Sequence, residues 1–366
     1  MKILYVSTST LPSESANSVH VMKMCQGFAK NGHDVTLMGI AGTTKLDPFK
    51  FYDVDEIFKV VLSKPMSGTK RFSYLVSSIH RIFGAIKERK KNYDIIYTRW
   101  LLAAYIFSKS KNKVIFEYHG EKTGKLSGYF EKKMIEKNRT TKHVFITHAL
   151  RNHYLEKYPF LKNRVTVVLP DAADKKEIVT STDRENLTCG YIGSFKEGKG
   201  VDIVVRLAEK LPGTIFHIVG GSEAEISRYK QESNSKNIIW HGFLNQEMAM
   251  EILEKEIDIA LLPNKASIKT DDKNDIGSWT SPMKLFEYMS YGKAILASDL
   301  DVLKEVLMHQ KNALLVNPAD IDLWAENVME LQENRSLYSS ISKQAKHELD
   351  TQYTWKIRAN NSLKIK

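Results

Sequence analysis

Thirteen short apolar runs, rich in Val, Ile and Leu and separated by segments with helical spacing, constrain this fold more than any other feature of the chain. Runs of this kind are typical of parallel strands that are buried on both faces. The sequence therefore predicts the α/β class, with two doubly wound, Rossmann-like domains in tandem. The predicted strands are residues 2–7, 34–40, 56–62, 94–98, 113–119, 143–147 and 165–169 in the first half, and 187–192, 214–219, 238–241, 257–262, 294–297 and 313–316 in the second.

The boundary between the two domains is predicted near residues 171–186, which are charged, contain several Ser and Thr residues and have no apolar periodicity. We set the N-terminal domain at 1–175 and the C-terminal domain at 183–350, and we expect the last segment, 351–366, to pack back toward the N-terminal domain. Ligands of doubly wound sheets bind beyond the carboxyl ends of the strands. The functional site is therefore expected in a cleft that the two domains form by facing each other.

The composition argues against a membrane-spanning or disulfide-rich protein. The chain has 42% hydrophobic and 27% charged residues, which is typical of soluble globular proteins. No apolar run approaches the roughly 18 residues of a membrane span, and the first residues fit a strand better than a signal peptide. Cys25 and Cys189 have no metal or disulfide spacing, so we expect a cytoplasmic protein.

Positive charge is concentrated in the N-terminal half. Residues 1–180 hold 31 of the 54 Lys and Arg residues but only 16 of the 43 Asp and Glu residues, which gives this half a net charge of +15 and the remainder −4. This asymmetry indicates an anionic partner, such as a lipid surface, a phosphorylated acceptor or a nucleic acid, or else a basic surface that is only solvated. A predicted helix at 72–91, apolar on one face and basic at its end, either lies on an anionic bilayer or packs on the sheet.

Residues 281–299, SPMKLFEYMSYGKAILASD, carry the strongest functional signal. Ser281 is a suitable N-cap and Pro282 is tolerated at the first helical position. A helix that begins at the edge of an α/β layer presents N–H groups and partial positive charge to an anion. Glu287 follows on the same helix and can accept hydrogen bonds from hydroxyl groups. A phosphate at the helix start with sugar hydroxyls beside it describes a nucleotide-sugar.

A glycine-bearing turn, Gly193 to Gly200, follows another predicted strand and contains Lys199. Glycines let the backbone approach a phosphate closely, and a lysine in such a turn can reach it. The alternative is a surface lysine in a flexible turn.

With these residues assigned, the chain resembles the retaining glycosyltransferases of family 4, which have the GT-B fold. The resemblance covers nearly the whole length and rests on the order and spacing of five segments. These are ANSVHVMKMCQGFAKNGHDVTL (16–37), YIGSFKEGKGVD (191–202), FHIVGG (216–221), IIWHGFL (238–244) and SPMKLFEYMSYGKAILASD (281–299). The resemblance implies transfer of a sugar from a UDP- or GDP-sugar to a saccharide acceptor. We expect this acceptor to be lipid-linked, for surface polysaccharide biosynthesis at the inner face of a cell membrane.

The family motifs assign the donor to the C-terminal domain and the acceptor to the N-terminal domain. The catalytic candidates are His119, Lys199 and Glu287; the donor-binding candidates are Gly193, Ser194, Lys199, Phe243, Leu244, Ser281, Met283, Lys284, Leu285 and Glu287; the acceptor-side candidates are Asn17, Ser18 and His20. His119 would lie against the donor sugar, with Glu117 on the same strand face as a candidate partner. Lys284 either reaches phosphate or lies on the outer helix face, and Phe243 either meets the base or fills the core.

Three positions depart from the family pattern. Trp279 stands where the family often has a first Glu, Ser194 where it often has an Arg that accompanies Lys199, and Asp171-Ala172 where it usually has Asn-Gly. One of the two diphosphate cations is therefore missing or is supplied from elsewhere. No Asp-x-Asp motif ends a strand, and Asp271-Asp272 is expected to be solvated. We therefore expect no metal, and no cofactor beyond the nucleotide-sugar co-substrate.

Two other functions stay open from the sequence alone. A nucleotide-sugar epimerase of the same architecture would bind a UDP-sugar and release UDP without an added acceptor. A non-enzymatic, basic nucleic-acid-binding protein would account for the charge, but no recognised module interleaves the basic residues with exposed aromatics. We therefore expect no nucleic-acid partner.

Overall fold

The computed structural model describes residues 1–42, 44, 46–64, 82, 84, 86–87, 92–108, 111–121, 124–136, 142–177, 184–269 and 275–364. Contacts divide the chain into two compact units, Met1–Asp171 with Trp355–Lys366, and Ala172–Thr354. The chain thus changes unit at 171/172 and again at 354/355. Apart from its positions 82, 84, 86 and 87, which are helical, the helix expected at 72–91 lies outside the described residues, as does Asp271-Asp272.

The first unit is built on a seven-stranded parallel sheet with the order β3-β2-β1-β4-β5-β6-β7. Its strands are β1 Lys2–Leu11, β2 Asp34–Ala41, β3 Lys59–Ser63, β4 Ile95–Thr98, β5 Lys113–Tyr118, β6 Lys142–Phe145 and β7 Thr166–Val168. Helices on this sheet include α1 Ala16–Lys30, α2 Pro48–Phe51, α3 Leu101–Phe107, α4 Lys125–Glu136 and α5 His148–Lys157, and a 3-10 turn spans Pro159–Asn163.

The second unit repeats this plan on a six-stranded parallel sheet with the order β10-β9-β8-β11-β12-β13. Its strands are β8 Cys189–Ile192, β9 Phe216–Val219, β10 Ile238–Gly242, β11 Ile259–Leu262, β12 Ala294–Ser298 and β13 Leu314–Val316. Its helices include α6 Val201–Lys210, α7 Glu223–Glu232, α8 Gln246–Glu256, α9 Met283–Ser290, α10 Ile321–Glu333 and α11 Arg335–Gln352, and a 3-10 turn spans Gly277–Trp279.

All thirteen predicted strands are present, with ends that differ by a few residues, and the predicted doubly wound α/β class is confirmed. The central strands carry no polar face. Every residue of β4, β8, β11 and β12 is buried, because helices cover both sides of a parallel sheet. Strand order reverses beside β1 and β4 in the first unit and beside β8 and β11 in the second. At such switch points a crevice opens beyond the carboxyl ends of the strands.

The last helix, α12 Trp355–Leu363, belongs to the first unit and lies against α1. The two helices approach closely at Gly27, where a Cβ atom would lie 2.6 Å from the carbonyl oxygen of Trp355. Asn31 adds a hydrogen bond from its Nδ2 to the carbonyl of Lys356 at 2.8 Å. This docking brings Arg358 into the interior of the first unit, where it is 2% exposed.

None of the helices in the described ranges is long and apolar enough to cross a bilayer.

Candidate functional site

In the first unit, five polar contacts converge on Glu117, a buried residue of β5. Its Oε1 lies 2.5 Å from Nε2 of His119 and 3.0 Å from Nη2 of Arg358. Its Oε2 accepts a short hydrogen bond from the hydroxyl of Tyr97 and one from Nη1 of Arg358 at 3.3 Å. Nε2 of His20 lies 2.9 Å from Oε1, without the alignment of a hydrogen bond. The carboxylate partner expected for His119 is therefore present, and it is shared.

Asp171, the last residue of the first unit before the chain leaves it, joins this group through His20, whose Nδ1 lies 2.8 Å from its Oδ1. Arg358 is anchored further by hydrogen bonds to two carbonyl groups, from Nε to Pro170 at 2.6 Å and from Nη2 to Leu169 at 3.0 Å. The side chain of His119 is 19% exposed, whereas those of Glu117 and Arg358 are at most 2% exposed. Of these three side chains, only the imidazole of His119 is therefore accessible to solvent to an appreciable extent.

The charges of this group fix its protonation. Burial alone would raise the pKa of Glu117, but the Arg358 guanidinium, with His20 and His119, holds it well below the usual range. Burial lowers the pKa of His119 to about 3, and the positive charge of Arg99 adds to that effect. At neutral pH, Glu117 is therefore a carboxylate and His119 a neutral imidazole.

The acceptor-side candidates differ in their surroundings. Asn17, in the first turn of α1, donates from Nδ2 to Oγ of Ser9 at 2.8 Å beyond the carboxyl end of the regular β1–β2 pairing. Ser18 is buried and donates to the carbonyl of Thr10 at 2.9 Å. His20 is also buried, inside the Glu117 group. Of the three, Asn17 is the most accessible to a ligand.

Only one group of potential metal ligands occurs among the residues that the structure describes: His20, Glu117 and His119, whose ligand atoms lie within 4.8 Å of one another. Arg358 already contacts both oxygens of Glu117. A cation at this point would have to displace the guanidinium or share the carboxylate with it, so the donor set does not favour a metal.

In the second unit, the donor candidates Gly193, Ser194 and Lys199 lie beyond the carboxyl end of β8. The turn from Gly193 to Gly200 packs closely on the segment that follows β11. A Cβ atom at Gly198 would lie 2.0 Å from the carbonyl oxygen of Ser267, and one at Gly200 would lie 1.8 Å from that of Pro263. Both glycines have positive φ, +88° and +78°. Glycine is therefore required twice to hold Lys199 at this edge.

Helix α9 differs at its start from the prediction, because Ser281 is not its N-cap. The helix begins at Met283, Pro282 occupies the N-cap position, and no side chain caps the first turn. Proline offers no side-chain acceptor, so the N–H groups of this turn keep their partial positive charge uncompensated by a cap. Lys284, the second residue of the helix, places its amine at the same end.

Lys284 points inward rather than along the outer face of the helix. Its Nζ lies 5.1 Å from the ring centre of Tyr191, and a Cβ atom at Gly193 would lie 1.5 Å from it. Burial lowers the pKa of Lys284 to about 7, and the positive charge of Lys199 lowers it further than Glu287 raises it. Burial also lowers the pKa of Lys199. Among the described residues, no ion pair joins either ammonium group to a carboxylate.

The remaining donor candidates differ in their exposure and in their contacts. Glu287 accepts a hydrogen bond from Nε2 of Gln246 at 2.8 Å. Phe243 is 60% exposed, so the interpretation of it as a core aromatic is wrong. Leu285 is buried, and Ser194 is exposed and accepts from the Tyr191 hydroxyl through its backbone carbonyl at 2.8 Å. Met283 and Leu244 are half-buried.

Sequence reasoning missed Arg358 and Gln246. Arg358 lies in no recognised motif and contacts a residue 241 positions earlier. Gln246 lies in the first turn of α8. The one sequence feature that could have indicated it is its position two residues after the Gly242-Phe243-Leu244 loop.

Two family models match the chain. A model described as "Glycosyl transferases group 1" matches residues 173–348, and one described as "Glycosyltransferase Family 4" matches residues 18–170. The chain therefore belongs to glycosyltransferase family 4, and it is a glycosyltransferase.

The chain is similar to two curated proteins and to a solved structure. An uncharacterized glycosyltransferase of Methanocaldococcus jannaschii is 24% identical over 308 residues, which are 75% of each chain. Alpha-galactosylglucosyldiacylglycerol synthase of Streptococcus pneumoniae is 27% identical over 162 residues, 42% of this chain and 39% of that protein. The structure of Anabaena HepE in complex with UDP-glucose superposes with a TM-score of 0.70 at 13% identity, over 99% of this chain and 98% of that one. The last comparison shows a shared fold.

The unpaired lysines yield a prediction that needs no substrate. We expect Lys284 to titrate near pH 7, as followed by NMR of its ε-carbon. The variant Lys199→Met should raise this pKa, because it removes the positive charge that disfavours the ammonium form. The variant Glu287→Gln should lower it, because it removes a favourable negative charge. A Lys210→Met control, at the other end of α6, should leave it unchanged, and an unchanged value in Lys199→Met would contradict the arrangement.

Proposed function

We propose that this family 4 glycosyltransferase moves a sugar from a nucleotide-sugar, with UDP or GDP as the nucleotide, to a saccharide acceptor, with retention of anomeric configuration. One observation carries the proposal: Lys199 and Lys284 lie near each other at the carboxyl edge of the second sheet, beside the uncapped start of α9, and within the described residues neither forms an ion pair with a carboxylate. Two like charges held in this way favour binding of an anion. A diphosphate matches two cations and a helix start.

Lys284 is proposed to supply the second cation that Ser194 does not. Its Nζ occupies the space in front of Gly193, beside Ser194, and a side chain at Gly193 would exclude it. The departing diphosphate gains negative charge as its bond to the sugar breaks. Lys199, Lys284 and the N–H groups of α9 would stabilise that charge without reorganising. The UDP-glucose bound by HepE, which shares the fold, supports a nucleotide-sugar as the donor.

Glu287 is proposed to accept hydrogen bonds from the ribose hydroxyls. The contact from Gln246 Nε2 at 2.8 Å orients its carboxylate from one side. The exposed ring of Phe243 follows β10 and is proposed to meet the base together with Leu244. Aromatic rings stack on bases, and the exposed face of this ring is accessible to one.

The transfer step is proposed to need no enzyme nucleophile. The bond between the anomeric carbon and the phosphate oxygen breaks on the face where the acceptor oxygen attacks, and the acceptor proton passes to the departing phosphate. His119 would contact the donor sugar and orient it. No metal takes part in this proposal, because the two lysines supply the positive charge.

Activity should therefore survive EDTA, and a complete loss that Mg²⁺ or Mn²⁺ restores would contradict metal independence.

The donor site can be tested by calorimetry with UDP, GDP and their sugars. Lys199→Ala, Lys284→Ala and Glu287→Gln should each weaken binding of the preferred nucleotide-sugar by roughly 10- to 150-fold, since a charged hydrogen bond contributes about 1.5–3 kcal/mol. Lys210→Ala, which removes a lysine paired with Asp322 at the other end of α6, is the matched control and should bind normally. Wild-type affinity in all three site variants would refute the assignment.

The acceptor is proposed to be lipid-linked, at the inner face of a bacterial membrane and in surface polysaccharide assembly. The net charge of +15 on residues 1–180 supports this, since anionic lipid attracts each Lys or Arg near the surface by about 1 kcal/mol. The name of the Streptococcus pneumoniae relative is that of a glycolipid synthase. Contact with the membrane would be peripheral and salt-sensitive.

Co-sedimentation with vesicles tests this contact. The protein should bind vesicles that contain phosphatidylglycerol at low salt, dissociate at high salt and ignore neutral vesicles. Changing Arg89, Lys90 and Lys91 to Glu should weaken binding. The same change at Lys230, Lys236 and Lys343, three exposed lysines of the second unit, is the charge-matched control and should have no effect. If the wild-type protein ignores anionic vesicles at low salt, the acceptor is soluble.

A further inference from the structure

The group around Glu117 brings several ionisable side chains together in the interior of the first unit. Glu117, Arg358, His20 and Asp171 are each at most 7% exposed, and they lie on four separate parts of the first unit. An isolated buried charge is very costly, so each of these groups depends on the others. His119, which is hydrogen-bonded to Glu117 and whose side chain is 19% exposed, is the most accessible described member of this group.

The hydrogen bond from His119 fixes which of its nitrogens carries the proton. An ionised carboxylate can only accept, so Nε2 of His119, at 2.5 Å from Glu117, must donate. A neutral imidazole has one N–H, and Nδ1 is then a bare acceptor. Within the described part of the chain no hydrogen bond reaches that Nδ1. The remaining acceptor is therefore available to a ligand.

Burial and two arginines set this state. Arg358 makes two hydrogen bonds to Glu117, one to each oxygen, and keeps it ionised. Burial, and after it the positive charge of Arg99, which follows β4, disfavours a second proton on His119. The ionised Glu117 thus holds the proton on Nε2, and Nδ1 stays unprotonated.

We infer that Arg358 on α12 is a positioning residue, which through Glu117 fixes His119 with Nε2 protonated so that Nδ1 accepts a hydrogen bond from a hydroxyl group of the substrate. The last step rests on the proposed function, because it takes the substrate to be a sugar. On this inference, the packing of α12 on the first unit has a chemical role as well as a structural one, because it brings Arg358 to Glu117. Within the described residues, the helix carries the only Lys or Arg side chain that contacts Glu117.

The tautomer of His119 can be read without any substrate. In the ¹⁵N-labelled protein, long-range ¹H–¹⁵N correlation spectra distinguish protonated from bare ring nitrogens, and comparison with His119→Gln assigns the signal. We expect the Nε2–H form alone at neutral pH. A dominant Nδ1–H form, or an imidazolium, would overturn the inference.

Variants then test the part played by Arg358. Arg358→Met alone leaves Glu117 buried without its cation and is expected to impair folding, so the decisive variant is the charge-balanced double change Arg358→Met with Glu117→Gln. It should lose the single-tautomer signal and lower kcat by roughly 10- to 100-fold, as removal of an outer hydrogen-bond partner does elsewhere, while nucleotide affinity stays within about twofold. Lys356→Met, an exposed change on the same helix, is the control. A double variant that keeps both the tautomer and kcat would refute the positioning role.

A pair of amide replacements tests which nitrogen meets the substrate. Asparagine places its amide where Nδ1 lies, and glutamine places it where Nε2 lies. His119→Asn should therefore retain more activity than His119→Gln, and the reverse order would contradict the inference. If the spectra show the Nε2–H form but no sugar is transferred by the wild-type protein, the tautomer stands and the proposed function fails.

Discussion

The lowered pKa of Lys284 is the property on which the proposed donor site of the second unit depends. Burial lowers this pKa to about 7, and the positive charge of Lys199 adds to the effect. Proteins seldom keep two unpaired ammonium groups together at a strand edge unless an anion neutralises them. The local structure maintains the arrangement: Gly198 and Gly200 let their turn pack against backbone carbonyls, and Gly193 leaves room for the Lys284 ammonium.

In the first unit, by contrast, the buried cation is paired with a carboxylate. There the guanidinium of Arg358 faces the carboxylate of Glu117, and the ring of His20 lies between Glu117 and Asp171. A group whose cation is already paired with a carboxylate has no unpaired cation with which to attract a diphosphate. It can instead hold one imidazole in a fixed protonation state, which suits recognition of an uncharged hydroxyl group. The two units thus have different electrostatic characters, one with free positive charge and one with a compensated interior.

Much of the fold, and part of the site, could be predicted from sequence because both depend on local patterns. The strands follow from continuous apolar runs, and Lys199 and Glu287 from motifs that span a strand, a turn and a helix. The start of α9 could not be read in this way, since Ser281 and Pro282 both suit a helix N-terminus and only the backbone decides between them. The role of Arg358 could not be predicted from the sequence, because its partner lies 241 residues away and its helix has no distinctive sequence. The inward direction of Lys284 depends on Gly193, a contact between segments 91 positions apart that no pattern encodes.

The claim that Lys284 contacts the diphosphate is tested most directly by proton uptake. A bound diphosphate should raise the lysine pKa from about 7, while the diphosphate of a nucleotide-sugar is fully ionised near neutral pH. Calorimetry of nucleotide-sugar binding at pH 7.5, in buffers with different ionisation enthalpies, gives the number of protons taken up. The account predicts a net uptake by the wild-type protein that is largely lost in Lys284→Arg, whose guanidinium is always protonated. Binding without proton uptake, or the same uptake in Lys284→Arg, would contradict it.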